Sequence, residues 1–138
     1  GEGGEKSKLE TIIRENNASG YIHLMGQHDL SEVYQNYEAY IAGSTSEGFG
    51  LTLMEAVGGG LPIVGFDVRY GNPTFIRNGE NGYLIPLPEE DKDRIEALRK
   101  GIVDLFKQDL EHCHSVSYLV AKDFLTSSVQ EKWREAVC

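Results

Sequence analysis

The sequence has 138 residues, 40% of them hydrophobic and 25% charged, which is the composition of one globular domain that buries a real core. Its formal net charge of -9 argues against a nucleic-acid partner, because nucleic-acid binders carry a basic excess or a basic stripe. No apolar run approaches the roughly 20 residues that cross a bilayer, and the first residues lack signal-peptide character, so we expect a cytoplasmic protein.

The first two-thirds of the chain alternate between helical and strand patterns. Helices are marked by apolar residues three and four apart, whereas strands are short apolar runs bounded by turn-forming residues. In chain order, the patterns predict a helix at 6–15, a strand at 21–25, a short helix through Val33, Tyr34 and Tyr37, a strand at 39–42, a helix at 51–57, and a strand at 62–66. Three glycines, residues 58–60, end the helix at 51–57.

One more strand is predicted at 83–86, where the turn signal Asn81-Gly82 introduces it. From about Asp91 to the end, the apolar residues have helical spacing, so this C-terminal third should be all helix. Repeated βα units joined by short links predict an α/β fold, a Rossmann-like parallel sheet with helices on both faces. Ligands of such sheets bind outside the carboxyl ends of the strands, which draws attention to the loops that follow them.

The loop after the second predicted strand has the features of an anion site. Residues 42–56 read Ala-Gly-Ser-Thr-Ser-Glu-Gly-Phe-Gly-Leu-Thr-Leu-Met-Glu-Ala, so a strand leads through a glycine-flanked loop into a helix. Gly48 and Gly50 let the backbone approach a ligand closely. The amides of Phe49, Gly50 and Leu51 then open a helix whose positive end favours a phosphate.

Two glutamates flank this loop. Glu55 is the only ionisable residue at 51–57, a segment with the character of a buried helix, so we expect its carboxylate to be buried and to need hydroxyl donors such as those of a ribose. Glu47 lies eight residues earlier and could aim its carboxylate into the same cleft, at a second polyol. A plainer interpretation stays open, because glutamates near a helix start are ordinary partners of the helix dipole.

These residues resemble the signature of the retaining family 4 glycosyltransferases of the GT-B fold, in which two glutamates are separated by seven residues and the first is followed by Gly-Phe-Gly. The resemblance extends through residues 60–64, the Gly71 loop and residues 78–86. It implies that residues 1–138 are the partial C-terminal, nucleotide-sugar-binding domain of a GT-B enzyme. The N-terminal acceptor domain and the first βα unit, with its Arg/Lys pair for the leaving diphosphate, would be absent, so this piece alone would be inactive.

Within that family, the wording of residues 46–56 and 65–72 is similar to the enzymes that add N-acetylglucosamine to serine-rich repeat adhesins. It is also similar to the poly(glycerol-phosphate) α-glucosyltransferases of teichoic acid. The resemblance implies a transferase that moves N-acetylglucosamine or glucose, with retention of configuration, from a UDP-sugar to a serine or threonine of a serine-rich repeat protein. It further implies that the reaction needs no cofactor and no metal.

Other functions remain open at this point. The chain could be a non-catalytic GT-B-like subunit that chaperones an active transferase, a teichoic-acid α-glucosyltransferase, or a sugar-nucleotide epimerase or glycan phosphorylase of related fold. The presence of both glutamates argues against the non-catalytic alternative. The resemblance also leaves room for a GT-B-like partner subunit and for peripheral association with a membrane.

The resemblance gives each matching residue a role. Glu47 would be the catalytic carboxylate that holds hydroxyls of the donor sugar, and Glu55 would grip the ribose. The sugar and the distal phosphate would meet the backbone of Gly48, Phe49, Gly50 and Leu51. The base would lie near the loop that ends at Gly26. One departure is visible, because many relatives have a glutamate where Thr74 stands, which argues against a donor role for that loop.

Two short motifs and a few single residues invite other interpretations. Asp91-Lys92-Asp93 spells a metal-binding Asp-x-Asp, but acidic residues that open a helix favour its dipole. His112-Cys113-His114 has no second ligand pair at helical spacing, so we expect a surface turn and no metal site. Trp133 in the last helix is expected to be a docking anchor. Cys113 and Cys138 are expected to be free thiols.

Overall fold

A computed structural model describes residues 3–30 and 32–137 of the chain. The chain divides into two compact units, residues 1–30 and residues 31–138. The smaller unit holds helix α1 (Lys6–Glu15), which confirms the prediction made from apolar spacing. Among the helices of the described ranges, none has the length and the apolar character that crossing a bilayer requires.

The strand predicted at 21–25 is wrong. Within the described part of the smaller unit, this segment pairs with no strand. The amide of Ile22 instead donates back to the carbonyl of Ala18 (2.9 Å), and the side chains of Tyr21 and Met25 are exposed. An apolar run becomes a strand only where a neighbouring strand takes its hydrogen bonds, and a local pattern cannot show whether that neighbour exists.

Three parallel strands form the sheet of the larger unit. They are β1 (Tyr40–Ala42), β2 (Ile63–Phe66) and β3 (Gly82–Ile85), hydrogen-bonded in the order β1-β2-β3. Ile63 of β2 pairs with Tyr40 on one side and with Gly82 on the other. All three predicted strands of this unit are confirmed, each with bounds that differ from the prediction by one residue at most.

Helices connect and follow these strands. In the described range 32–137 they are α2 (Leu51–Gly58), α3 (Gly71–Phe75), α4 (Asp91–Leu105), α5 (Leu110–Lys122) and α6 (Thr126–Val137). The helix predicted at 51–57 and the all-helical C-terminal third are thus confirmed. The short helix predicted through Tyr34 is only a 3₁₀ turn at Tyr34–Asn36, because Tyr37 is already extended (φ -122°, ψ 160°). Helix α3 was not predicted, since five residues that include Gly and Pro carry no helical pattern.

Helices cover both faces of the sheet, as predicted. Every residue of β2 is buried, and successive side chains alternate between two apolar clusters. The first cluster joins Ile63 to residues of α2, α3 and α5, namely Leu53, Ala56, Val57, Phe75, Val116 and Val120. The second joins Val64 and Phe66 to Ile85 of β3 and to Leu105 of α4. A parallel strand covered on both faces needs this continuous apolar run.

A buried polar network ties α5 to the sheet. The side chain of Asn81 accepts the amide of Arg77 (2.7 Å) and donates to the carbonyl of Phe75 (3.1 Å). It also donates to the hydroxyl of Ser117 (3.2 Å), which in turn donates to the carbonyl of Leu61 (2.8 Å). Because Asn81 and Ser117 are fully buried, these bonds serve backbone groups that cannot reach water.

The glycines after α2 let α5 approach closely. Gly60 has a φ of +81°, and a Cβ placed there would lie 2.5 Å from the ring of Tyr118. The ring nitrogen Nδ1 of His114 lies 2.7 Å from the carbonyl oxygen of the same glycine. Glycine is therefore required at this position both by the backbone conformation and by the ring that packs on it.

The surface turn predicted for His112-Cys113-His114 is wrong, because the motif lies within α5. Cys113 points into the second cluster and has a free, buried thiol, as expected, and burial raises its pKa. Cys138 lies outside the described residues. Asp91 and Asp93 occupy the first turn of α4, which confirms their interpretation as helix-opening residues.

We expect Asn81→Ala to destabilise the protein by about 2 kcal/mol, because it removes the bond to the amide of Arg77 and leaves the buried carbonyl of Phe75 without its partner. Urea unfolding would measure the loss. Asn36→Ala is the matched control, since Asn36 is exposed and bonds only the nearby carbonyl of Glu32 (3.2 Å). A loss at Asn81 no larger than that at Asn36 would contradict the importance of the network.

Candidate functional site

An open depression lies at the carboxyl ends of the strands, where parallel sheets bind their ligands. Its volume is about 400 Å³. The loops that follow all three strands contribute to it, with lining residues Thr45, Ser46, Glu47, Asp67, Val68, Arg69, Tyr70 and Leu87. The lining mixes hydroxyl, charged and apolar groups, which suits a ligand with both polar and apolar faces.

Glu47 is the half-buried carboxylate of this depression. Its backbone forms an isolated parallel β-bridge with Tyr70, so the loops after β1 and β2 are joined here. Its side chain lies over Gly71, where an added Cβ would stand 2.5 Å from the Glu47 Cγ. Among the described residues no hydrogen-bond donor reaches its carboxylate, whose oxygens are therefore free to accept bonds from a ligand.

The start of α2 lies directly after this carboxylate. Gly50 is the N-cap residue, with a left-handed backbone (φ +86°, ψ 56°) that favours glycine. Its carbonyl accepts the amides of Leu53 and Met54, both at 3.0 Å. The amides of the first turn, including that of Leu51, have no preceding helical carbonyl and form the positive end of the helix. Gly48 is exposed, and packing alone does not require glycine there.

Phe49 fixes the loop to the core. Its ring lies edge to face with Phe75 (centroids 5.6 Å apart) and with Phe124 (6.2 Å), and those two rings are themselves 4.8 Å apart. The ring of Phe49 is nonetheless 53% exposed. This aromatic contact holds the backbone on which the predicted amide site depends.

The expected burial of Glu55 is wrong, because its side chain is exposed. Helix α2 buries only one side, that of Leu53, Ala56 and Val57, while Leu51 on the other side is 62% exposed. The apolar composition of the helix therefore did not show which face would meet water. The hydroxyl of Tyr34 donates to Glu55 Oε2 at 3.1 Å, and the predicted contact with ribose hydroxyls stays a prediction.

Tyr34 contacts the predicted site residue Glu55, and the sequence did not predict this contact. Tyr34 is buried, packs against Gly59 and contacts the ring of Tyr40 at 6.2 Å between centroids. Burial, followed by the hydrogen bond to Glu55 and that residue's charge, raises the pKa of Tyr34 well above its usual range. The hydroxyl therefore keeps its proton and acts as a donor. Because 21 residues separate the partners, no local motif could have joined them.

Gly26 lies in the smaller unit, with a φ of +71°. Within that unit it lines an open depression of about 520 Å³, together with Gly3, Glu5, Lys6, Leu9, His23, Leu24 and Met25. The contact of this loop with a base stays a prediction.

Among the described residues, no three His, Cys, Asp or Glu side chains cluster so that they could hold a metal ion. Asp91 of the Asp-x-Asp motif instead pairs with Arg94 (2.8 Å) in the first turn of α4. This ion pair therefore stabilises the start of the helix.

The family model described as glycosyl transferases group 1 matches residues 1–119. A relative from Limosilactobacillus reuteri subsp. suis, the GtfA subunit of a UDP-N-acetylglucosamine–peptide N-acetylglucosaminyltransferase, is 54% identical over 140 residues. The match covers 99% of this chain and 27% of the relative.

Two solved structures are also similar. The crystal structure of the pneumococcal O-GlcNAc transferase GtfA in complex with UDP and GlcNAc has a TM-score of 0.90 and 49% identity, and covers 99% of this chain and 28% of that one. The crystal structure of a GtfA/B complex has a TM-score of 0.84 and 51% identity, with the same coverage of 99% and 28%. The chain therefore spans just over a quarter of the length of these relatives.

Proposed function

The chain belongs to the group 1 glycosyl transferases, and on that premise we propose that it is the donor-binding part of a retaining N-acetylglucosaminyltransferase. The donor would be the UDP-sugar, and the acceptor a serine or threonine of a protein. The 54% identity to a subunit of a UDP-N-acetylglucosamine–peptide transferase supports this sugar over glucose. The activity proposed is that of the complete protein, of which relatives have almost four times this length.

The observation that carries the proposal is the Glu47 carboxylate. It is half-buried at the carboxyl ends of the strands, in a depression with room for a sugar, and no donor among the described residues occupies it. A carboxylate in that position accepts hydrogen bonds from sugar hydroxyls and stabilises positive charge as the glycosidic bond lengthens. We therefore assign Glu47 the role of catalytic carboxylate.

The diphosphate belongs at the start of α2. The amides of Phe49, Gly50 and Leu51 lead into a helix whose positive end favours an anion. Backbone amides stabilise a leaving diphosphate without a bound cation, so the proposal includes metal-independent transfer. Gly48 completes the donor-binding residues assigned within the larger unit, whereas the role of Gly26 at the base stays a prediction.

Glu55 is assigned to the ribose. A carboxylate accepts two hydrogen bonds from adjacent hydroxyls, and its exposure on α2 makes it accessible to a ligand. The buried hydroxyl of Tyr34 holds one carboxylate oxygen and so restricts the side chain's rotation. Tyr34 is therefore a positioning residue for Glu55.

We also propose that the protein has a partner subunit and is cytoplasmic. A relative is called a subunit, and the structure of a GtfA/B complex is 51% identical, which supports a partner subunit for this protein too. The buried free thiol of Cys113 fits a reducing compartment, which supports the cytoplasm.

Glu47→Gln in the complete protein is expected to lower transfer of labelled N-acetylglucosamine by about a hundredfold or more, since it removes charge stabilisation in the transition state. The melting temperature should stay nearly unchanged. Glu80→Gln, in an exposed turn, is the control and should retain full turnover. Equal turnover in the two variants would contradict the assigned role, and an inactive wild type would favour the non-catalytic alternative.

Tyr34→Phe should raise the donor KM roughly tenfold with little change in kcat, because one hydrogen bond to a charged group is lost. Glu55→Gln should raise the same KM. The double variant separates positioning from packing, since Tyr34→Phe should have no further effect on KM once Glu55 is replaced. Additive effects of the two substitutions would show that Tyr34 does not act through Glu55.

Treatment with EDTA tests metal independence. The complete enzyme is expected to keep its turnover after chelation and dialysis, because amide groups supply the electrostatic stabilisation of the leaving group. Restoration of a lost activity by added Mg²⁺ or Mn²⁺ would overturn this part of the proposal. A metal-dependent glycosyltransferase assayed beside it would confirm that chelation is complete.

A further inference from the structure

The backbone of Tyr70 has a conformation that a tyrosine rarely adopts. Its φ of +83° and ψ of -61° are those of a γ-turn that is rare and strained for any residue with a side chain. Burial of the side chain does not offset the free-energy cost of this strain, because Tyr70 is 74% exposed. Strained, non-glycine residues persist where the surroundings hold them in place, and they concentrate at ligand-binding positions.

The surroundings of Tyr70 do hold it in place. The β-bridge with Glu47 fixes its backbone on one side, and its carbonyl accepts the hydroxyl of Thr74. The buried side-chain amide of Asn72 donates to the backbone carbonyl of Phe66 at 2.7 Å and so ties the start of α3 to the end of β2. The strained turn is thus fixed by the fold and does not wait for a ligand to form.

Tyr70 lines the same depression as Glu47. Val68 and Leu87 add apolar surface to the lining, while Asp67 and Arg69 add charge. A hexopyranose has hydroxyls at its rim and C–H groups on its two faces, so it matches a carboxylate together with an aromatic ring. Tyrosine supplies such a surface at low entropic cost, since its side chain has few rotatable bonds.

We propose that Tyr70 is a donor-sugar contact, whose ring packs against the apolar face of the hexose while Glu47 binds the hydroxyls. The inference rests on the proposed function of Glu47. Many relatives have a glutamate where this chain has Thr74, which argued against a role in donor binding for the loop after β2. The inference gives that loop such a role through Tyr70, the residue before Gly71.

Tyr70→Gly in the complete protein tests the contact. Glycine adopts this backbone conformation without strain, so the variant should melt a few degrees higher than the wild type. Its KM for the UDP-sugar at saturating acceptor should rise about tenfold, while its acceptor KM at saturating donor stays the same. Tyr70→Phe keeps the ring and should retain the wild-type donor KM within about twofold.

Tyr37→Gly is the matched control. Tyr37 is also exposed, but its backbone is extended, so glycine there should lower or maintain the melting temperature and leave both KM values unchanged. An unchanged donor KM in Tyr70→Gly, a change confined to the acceptor KM, or an equal loss in Tyr70→Phe would each overturn the proposal. Glu47→Gln assayed in parallel separates the two claims, because retained turnover in that variant would refute the proposed function itself.

Discussion

The candidate site depends on the close approach of two loops, the one after β1 and the one after β2. The approach is fixed by the β-bridge between Glu47 and Tyr70 and by the contact of the Glu47 side chain with Gly71. A Cβ at Gly71 would meet Glu47 at 2.5 Å, so the carboxylate occupies its position only because this residue is glycine. Backbone pairing and van der Waals contact thus place Glu47, and none of the ion pairs among the described residues involves its carboxylate.

The proposed donor is anionic, whereas the chain itself carries a formal net charge of -9, so the proposed function has to overcome an electrostatic difficulty. At physiological ionic strength, charges more than about 8 Å apart are largely screened, so the acidic surface repels a diphosphate only weakly at a distance. The amides at the start of α2 act on direct contact instead. On the proposed function local dipoles would therefore outweigh the overall charge at the site, and net charge alone would be a poor guide to which ligand such a domain accepts.

The sequence predicted the parts of the fold and the site that depend on neighbouring residues. The strands of the larger unit and α2 follow from apolar runs and glycine stops, and the spacing of Glu47 and Glu55 indicated the loop that now lines the depression. The parts that were wrong or missed depend on distant residues. The segment at 21–25 lacks a partner strand among the described residues, and the Tyr34 hydroxyl comes from 21 residues before Glu55.

The prediction that Glu55 is buried was wrong for a related reason. A short helix with an apolar composition can bury one face or all of them, and the choice depends on what packs around it. In this fold the side of α2 that carries Leu53 and Val57 meets the sheet and α5, while Glu55 stays exposed. Exposure does not leave the carboxylate mobile, because Tyr34 is anchored in the core and reaches out to it.

The two carboxylates are therefore positioned by different means, which bears on how the site could select its ligand. Glu47 is fixed by glycines that let the backbone close around it, whereas Glu55 is fixed by a buried hydroxyl. Both arrangements are contacts made within the fold, so on the proposed function little conformational entropy would be lost on donor binding. One fixed carboxylate before α2 and a second within it would then favour ligands whose polyol groups are separated by a diphosphate.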